Sequence, residues 1–209
     1  MNSSIIQSIK KLESYFEKFE LLPAQPNLLP KIKELYPNIT PDLIEFYECC
    51  DGFSGGFDIE GSIIFSLDRI IELTEGRSGD NPLFTILFPI RNDGGWNFDC
   101  SILSDEGKNS IVYWDGETSA KPDYPIAGNL ENFFTHFTDW AITCFNKDGT
   151  YQFKYDLFEN NDSEYYDWPC DVQWTAKRDK ALKGWLTKKE YRLLFDTELE
   201  APKKGIFGF

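Results

Sequence analysis

LFTILFPIRNDGGWNFDCSILSDEGKNSIVYW, residues 83 to 114, is the stretch whose reading decides the fold. An apolar run rich in β-forming residues (83–90) leads into Asn92-Asp93-Gly94-Gly95. Asn and Asp tolerate left-handed backbone and glycine adopts it freely, so this tetrapeptide predicts a tight reversal between two strands. Residues 96–103 follow with a near-alternating pattern of apolar and polar side chains, as a strand with two unlike faces requires. Residues 104–109 (SDEGKN) make a second reversal and 110–114 (SIVYW) a third strand. Reversals this short cannot carry the crossover that parallel strands need, so the three runs read as an antiparallel meander.

Helical periodicity flanks the meander on both sides. Ile5, Ile9, Leu12, Phe16 and Phe19 recur at steps of four and three, predicting a helix over 4–20 with Lys10, Lys11, Glu13 and Glu17 on its other face. Pro23, Pro26 and Pro30 then predict a stiff connector. In ITPDLIEFYECCDG (39–52), Thr40 is placed to cap a helix, Pro41 suits its first position and Asp42 complements its dipole. Leu43, Phe46, Tyr47 and Cys50 form its apolar stripe, and Gly52 is read as its left-handed stop. The glycine-rich segment 52–61 precedes a short strand at 62–67. Downstream, Leu130, Phe133, Phe134, Phe137, Ala141 and Cys144 share one face of a helix expected over 129–145. The fold class expected is α+β, with the helices packed on the sheet.

Beyond residue 146 the composition changes. Residues 156–171 hold six acidic residues, four aromatics (Phe158, Tyr165, Tyr166, Trp168) and no basic residue. Residues 177–192 carry seven basic residues against two acidic ones, in a helical pattern with Leu182, Trp185, Leu186, Tyr191 and Leu194 apolar. The chain therefore divides into a main domain, 1–146, and a C-terminal extension, 147–209, expected to pack on it.

A net charge of −14 over 209 residues repels phosphate backbones and anionic headgroups, so neither nucleic acid nor a membrane surface is an expected partner. It favours a basic partner, although acidity also serves solubility alone. Of eighteen Phe, ten Tyr and six Trp, many must fill a core, and some can line a recognition surface. The start, MNSSIIQSIKKLESYFEKF, has no apolar signal-peptide region, and no apolar run reaches the length of a bilayer span. Cys49, Cys50, Cys100, Cys144 and Cys170 are odd in number with no CxxC pair, which fits neither a disulfide framework nor a zinc site. A cytoplasmic location is expected, and the Asn-x-Ser/Thr triplets at Asn2, Asn38 and Asn161 are then chance matches.

Catalytic chemistry finds little to work with. His136, the one histidine, falls on the 129–145 helix beside the apolar stripe, in line with Asn132 and Trp140, and is expected at the surface. Schemes that need several histidines fail by counting. Gly52-Phe53-Ser54-Gly55-Gly56 lacks the spacing of a phosphate-binding loop. Cys49-Cys50 stands between Glu48 and Asp51, whose charges oppose thiolate formation. Asp93, Asp99, Asp115 and Glu117 could assemble into a calcium site or a glycosidase pair, but their spacing matches no EF-hand loop. Asp93 and Asp115 each precede a glycine, which turn chemistry explains. No metal, cofactor or enzymatic activity is expected.

Five segments, taken in order, resemble the SUKH superfamily, which comprises Smi/Knr-type regulators of cell-wall synthesis and many bacterial toxin-immunity proteins. ITPDLIEFYECCDGFSGG (39–56) resembles its "P-x-x-h-x-x-F-Y-x-x-x-x-G-G" opening. A short strand and helix at 63–75 come next, and FPIRNDGGWNFDCSIL (88–103) resembles its "h-x-I-x-x-D-G-G-G-N" strand–turn–strand. IVYWDGE (111–117) is similar to "V-Y-x-W-D-H-E", and IAGNLENFFTHF (126–137) to its closing "h-A-x-S-F-x-x-F-L" helix. Trp96 replaces a usual third glycine and Gly116 a frequent histidine, and residues 147–209 lie outside the match. The resemblance implies a twisted, mostly antiparallel sheet with helices packed on it and no catalytic apparatus. In bacteria it implies neutralisation of a toxin by binding, and in fungi a regulatory scaffold of glucan synthesis.

Three functional classes follow. One is an immunity-type protein occluding a basic toxin such as a cationic nuclease; another is a regulatory or scaffolding binder; the last is a carboxylate-dependent hydrolase. Residues 1–155 carry 24 acidic and 12 basic residues, so most of the negative charge lies in the main domain, where it would steer a cationic partner. The candidate partner-binding residues are Asp93, Trp96, Asn97 and Asp99 on the first reversal and strand, with Trp114, Asp115 and Glu117 on the strand beyond.

Overall fold

The computed structural model describes residues 3–57, 63–77, 81–92, 95–152, 168–169 and 171–201. Helix α1 (Ser3–Tyr15) buries Ile5, Ile9 and Leu12 as their spacing predicts. It stops short of the expected end because the Glu17 amide donates to Lys147 O (2.9 Å), drawing the chain away. Strand β1 (Glu20–Leu21) follows, where no strand was expected. The proline connector is partly helical: a 3₁₀ turn spans Pro26–Leu28, and α2 (Leu29–Leu35) buries Leu29 and Ile32. Pro26 and Pro30 sit in first turns, where backbone N–H groups have no intrahelical acceptor.

Helix α3 (Pro41–Cys49) buries Leu43, Phe46 and Tyr47. Thr40 is its N-cap, but the hydroxyl donates to the Asp42 carboxylate, and that carboxylate accepts the Leu43 amide (3.1 Å). Gly52 is not the helix stop, because Cys50 has already left the helix in an extended conformation. The +82° φ of Gly52 serves a close approach instead, since a Cβ there would lie 2.4 Å from Ile64 O. Strands β2 (Phe53–Ser54) and β3 (Ile63–Ile64) flank the glycine-rich segment. Helix α4 (Leu67–Arg77) begins where the buried Asp51 carboxylate accepts the Leu67 amide (2.7 Å).

The meander is present. Strands β4 (Leu87–Asn92), β5 (Asn97–Ile102) and β6 (Ile111–Asp115) pair antiparallel, and β7 (Tyr124–Ala127), which the sequence reading lacks, extends them. The run 83–90 is not one strand: Asn81 accepts the Leu83 amide and Pro82 fits the first position, so Pro82–Thr85 coils into a 3₁₀ turn before β4. Pro89 is tolerated in an inner strand because a bulge between Pro89 and Arg91 interrupts the ladder there.

The seven strands among the described residues form one antiparallel sheet in sequence order, and the fold is α+β. Leu21, Phe53, Ile64, Arg91, Asp99, Tyr113 and Tyr124 are successive register partners, one from each strand, and so form a row across one face. Helix α5 (Leu130–Cys144), capped by Asn129 through the Asn132 amide (2.8 Å), covers that face, with Phe137 6.2 Å from Phe53 between ring centroids.

The C-terminal helices α6 (Val172–Arg178) and α7 (Lys180–Leu186) pack on the last strand, and α8 (Lys189–Arg192) packs on α7. Trp168, 2% exposed, donates its indole N–H to Ile126 O (3.3 Å), and Leu182, Leu186 and Tyr191 are buried with it in the common core. The outer edge of β7 is thus covered, which removes one of the two open edges that a sheet presents to other chains. The acidic-aromatic segment lies outside the described residues except for Trp168, Pro169 and Asp171.

Candidate functional site

Asn97 opposes Asp115 across β5 and β6, and the Gly116 amide donates to Trp96 O (2.9 Å). Trp96, Asn97, Asp115 and Glu117 therefore gather at one end of the meander. Trp96 is half-buried, its ring edge-on to Phe98 at 6.2 Å, and Glu117 is exposed. The Asn92 side chain holds the preceding reversal, donating to Gly95 O (2.9 Å) and Asn97 O (3.3 Å). Asp93 lies outside the described residues.

Asp115 builds its own turn. Its carboxylate accepts the Thr118 hydroxyl (2.6 Å) and the amides of Glu117 (2.9 Å) and Thr118 (3.2 Å). The Thr118 hydroxyl bond, followed by the two amides, holds this carboxyl below the usual carboxylate range, so it stays ionised at neutral pH. Asp123 braces the turn from β7's side, accepting the Asp115 amide (2.7 Å) and the Ser119 hydroxyl (2.6 Å). The result is a fixed negative turn beside a partly exposed indole.

Two expected members of the site belong to the core instead. Trp114 is 0% exposed, packed between Phe84 and Phe98, with its indole N–H donated to Ser119 O (3.1 Å). Asp99, also 0% exposed, bonds the Nε of Arg91 in a buried ion pair. Neither can reach a partner's surface. The guanidinium of Arg91 lies over the rings of Phe137 (5.5 Å), Trp168 (5.8 Å) and Trp140 (5.9 Å), so aromatic faces complete its enclosure. Asp99 alternates with Phe98 and Cys100 as a solvent-facing residue would. Alternation reports which face a residue takes, not whether that face is wet.

His136 is corrected as well. It is 7% exposed, covered by the α6–α7 junction, with Asp179 Oδ2 3.9 Å from Nε2. Burial pushes the imidazole below its ordinary 6.5, against the attraction of Asp179 and Asp139. Asp179 is the residue that sequence reasoning missed. Its carboxylate accepts the amides of Gly128 (2.7 Å) and Leu182 (2.8 Å) and the side-chain N–H of Asn132 (2.7 Å), joining the extension to the main domain. A local signal existed, since an Asp three residues before Leu182 is a helix N-cap. The long-range partners left no trace in the chain.

Among the described residues no three His, Cys, Asp or Glu side chains are grouped to hold a metal. Burial pushes the thiols of Cys50 and Cys144 up to about 11 and that of Cys100 well above its ordinary value, leaving them protonated. No helix among the described residues is long and apolar enough to cross a membrane. No protein-family model matches the chain, and no curated protein matches it either.

Proposed function

We propose that this chain is a non-catalytic, cytoplasmic protein-binding domain of SUKH type, and that it neutralises a basic toxin domain by occluding it. The observation that carries the reading is the rim at the end of the meander. There, an ionised Asp115 and an exposed Glu117 flank the half-buried Trp96 and Asn97 on paired strands. Carboxylates held this way steer a cationic surface and accept charge-assisted hydrogen bonds from Lys and Arg, and an indole supplies the desolvated contact on which affinity depends. The negative charge of residues 1–155, with 24 acidic and 12 basic residues, extends the same field.

The test begins with the gene neighbourhood, where a basic toxin domain is expected beside this chain's gene. With that domain purified, Glu117→Lys should slow association by about threefold to tenfold at low ionic strength and flatten its salt dependence. Trp96→Ala should speed dissociation. Glu117→Lys should leave the melting temperature within about 1 °C, because the side chain is exposed. An association rate indifferent to Glu117→Lys and a dissociation rate indifferent to Trp96→Ala would together reject this rim as the binding surface.

A further inference from the structure

The joint between the main domain and the C-terminal helices contains a group that no binding role uses. His136 is buried on α5, and among the described residues neither ring nitrogen has a hydrogen-bond partner. The charged groups facing it are Asp139 from α5 itself, Arg178 from the end of α6, and Asp179 from the link into α7. Asp179 is already engaged: Oδ2 accepts the Gly128 amide, while Oδ1 accepts both the Leu182 amide and Asn132 Nδ2. At 3.9 Å from Nε2, Asp179 Oδ2 is beyond hydrogen-bond distance.

We infer that His136 and Asp179 form a proton-operated latch, closed while the imidazole is neutral and loosened when it takes up a proton. A neutral ring fits the apolar enclosure between α5 and the α6–α7 junction. An imidazolium does not, because it needs water or a close carboxylate oxygen. Asp179 can supply that oxygen only by giving up bonds that dock the extension on Gly128 and Asn132. Either response weakens the same joint. The sign follows from linkage. The closed form binds the proton less well than an opened form with an ordinary value of 6.5, so closure is fully favoured above 6.5 and weakens as pH falls below it. The limiting dependence is about tenfold per pH unit for one proton.

His136 is the single histidine of the chain, so its imidazole resonances report on the latch without interference from any other. Two measurements on the full chain decide the matter: the titration of those resonances, and backbone hydrogen exchange corrected for its intrinsic pH dependence. The expected result is an imidazole that titrates below 6.5, with opening of α6 and α7 rising about tenfold between pH 7 and pH 5 while β4–β6 stay protected. His136→Gln, which cannot titrate, should make α6 and α7 exchange independent of pH over the same range. The latch is refuted by an imidazole that titrates at 6.5 or above with the helices still protected. It is equally refuted by α6–α7 opening that is flat in the wild type, or that keeps its pH dependence in His136→Gln. Should that variant fail to fold, the wild-type titration and exchange profiles decide by coinciding or failing to coincide.

Discussion

Arg91 and Asp99 face each other in the middle of the sheet, 1% and 0% exposed, roofed by Phe137, Trp140 and Trp168. Removing the charge of one partner strands the other in a medium that cannot solvate it. Asp99→Asn should therefore cost about 3–5 kcal/mol in chemical denaturation. Replacing both residues together, as Arg91→Met with Asp99→Leu, should cost less than Asp99→Asn alone, because no charge remains to be solvated. A double variant as unstable as the sum of its singles would contradict this account. Both charges were visible in the sequence as lone interruptions of apolar runs, FPIRN and NFDCSI. What was not visible was the roof, since Trp168 follows Asp99 by 69 positions. His136 was misplaced for the same reason: helical periodicity located it beside the stripe, and the α6–α7 junction at Asp179, 43 positions downstream, covers it.

At the scale of elements, the docking of α7 on the end of β7 depends on one glycine. A Cβ on Gly128 would stand 2.2 Å from Leu182 N and 2.6 Å from Ala181 Cβ. The backbone of Gly128 also donates to Asp179 (2.7 Å) and accepts the Trp185 indole N–H (3.2 Å). Gly128→Ala must push α7 away and lengthen these bonds. The expected loss is about 1–3 kcal/mol, read from the denaturation midpoint, with faster exchange in α7 before the sheet is affected. The long helices and the meander were legible because apolar periodicity and turn residues act within a few positions of each other. Strands β1, β2 and β7 were not, since two to four residues carry no measurable period and form only because a neighbouring strand supplies their hydrogen bonds. Helix α2 was hidden by its prolines, which mark a helix start as readily as a connector.

For the molecule as a whole, the extension is part of the fold and not an appendage. Trp168, Leu182, Leu186 and Tyr191 are each no more than 2% exposed, and each contributes about 1.5–3 kcal/mol by burial, so their sum rivals the net stability of an ordinary domain. Ending the chain after residue 167 should abolish cooperative melting or yield self-associating material, checked by calorimetry and size-exclusion chromatography. A truncated monomer that melts like the full chain would show the helices to be dispensable. The division at residue 146 was read from a change in composition, and the buried cluster includes side chains from both sides of it. Of the candidate rim, the sequence reading placed Trp96 and Asn97 on one reversal and strand and Asp115 and Glu117 on the strand beyond, and the pairing of β5 with β6 brings the four to one end. The reading could not separate them from the core residues Asp99 and Trp114, because strand alternation continues unchanged from rim to interior.

The strict sequence order of the seven strands bears on synthesis. Each strand pairs with the one made just before it, so the sheet can grow as the chain emerges, with no strand waiting for a distant partner. The cover of the last edge comes later, since Leu186 follows Ala127 by 59 positions. At ordinary translation rates that gap lasts ~3–12 s. Through that interval the nascent sheet exposes the bare edge of β7, which is when a ribosome-associated chaperone would have the most to protect.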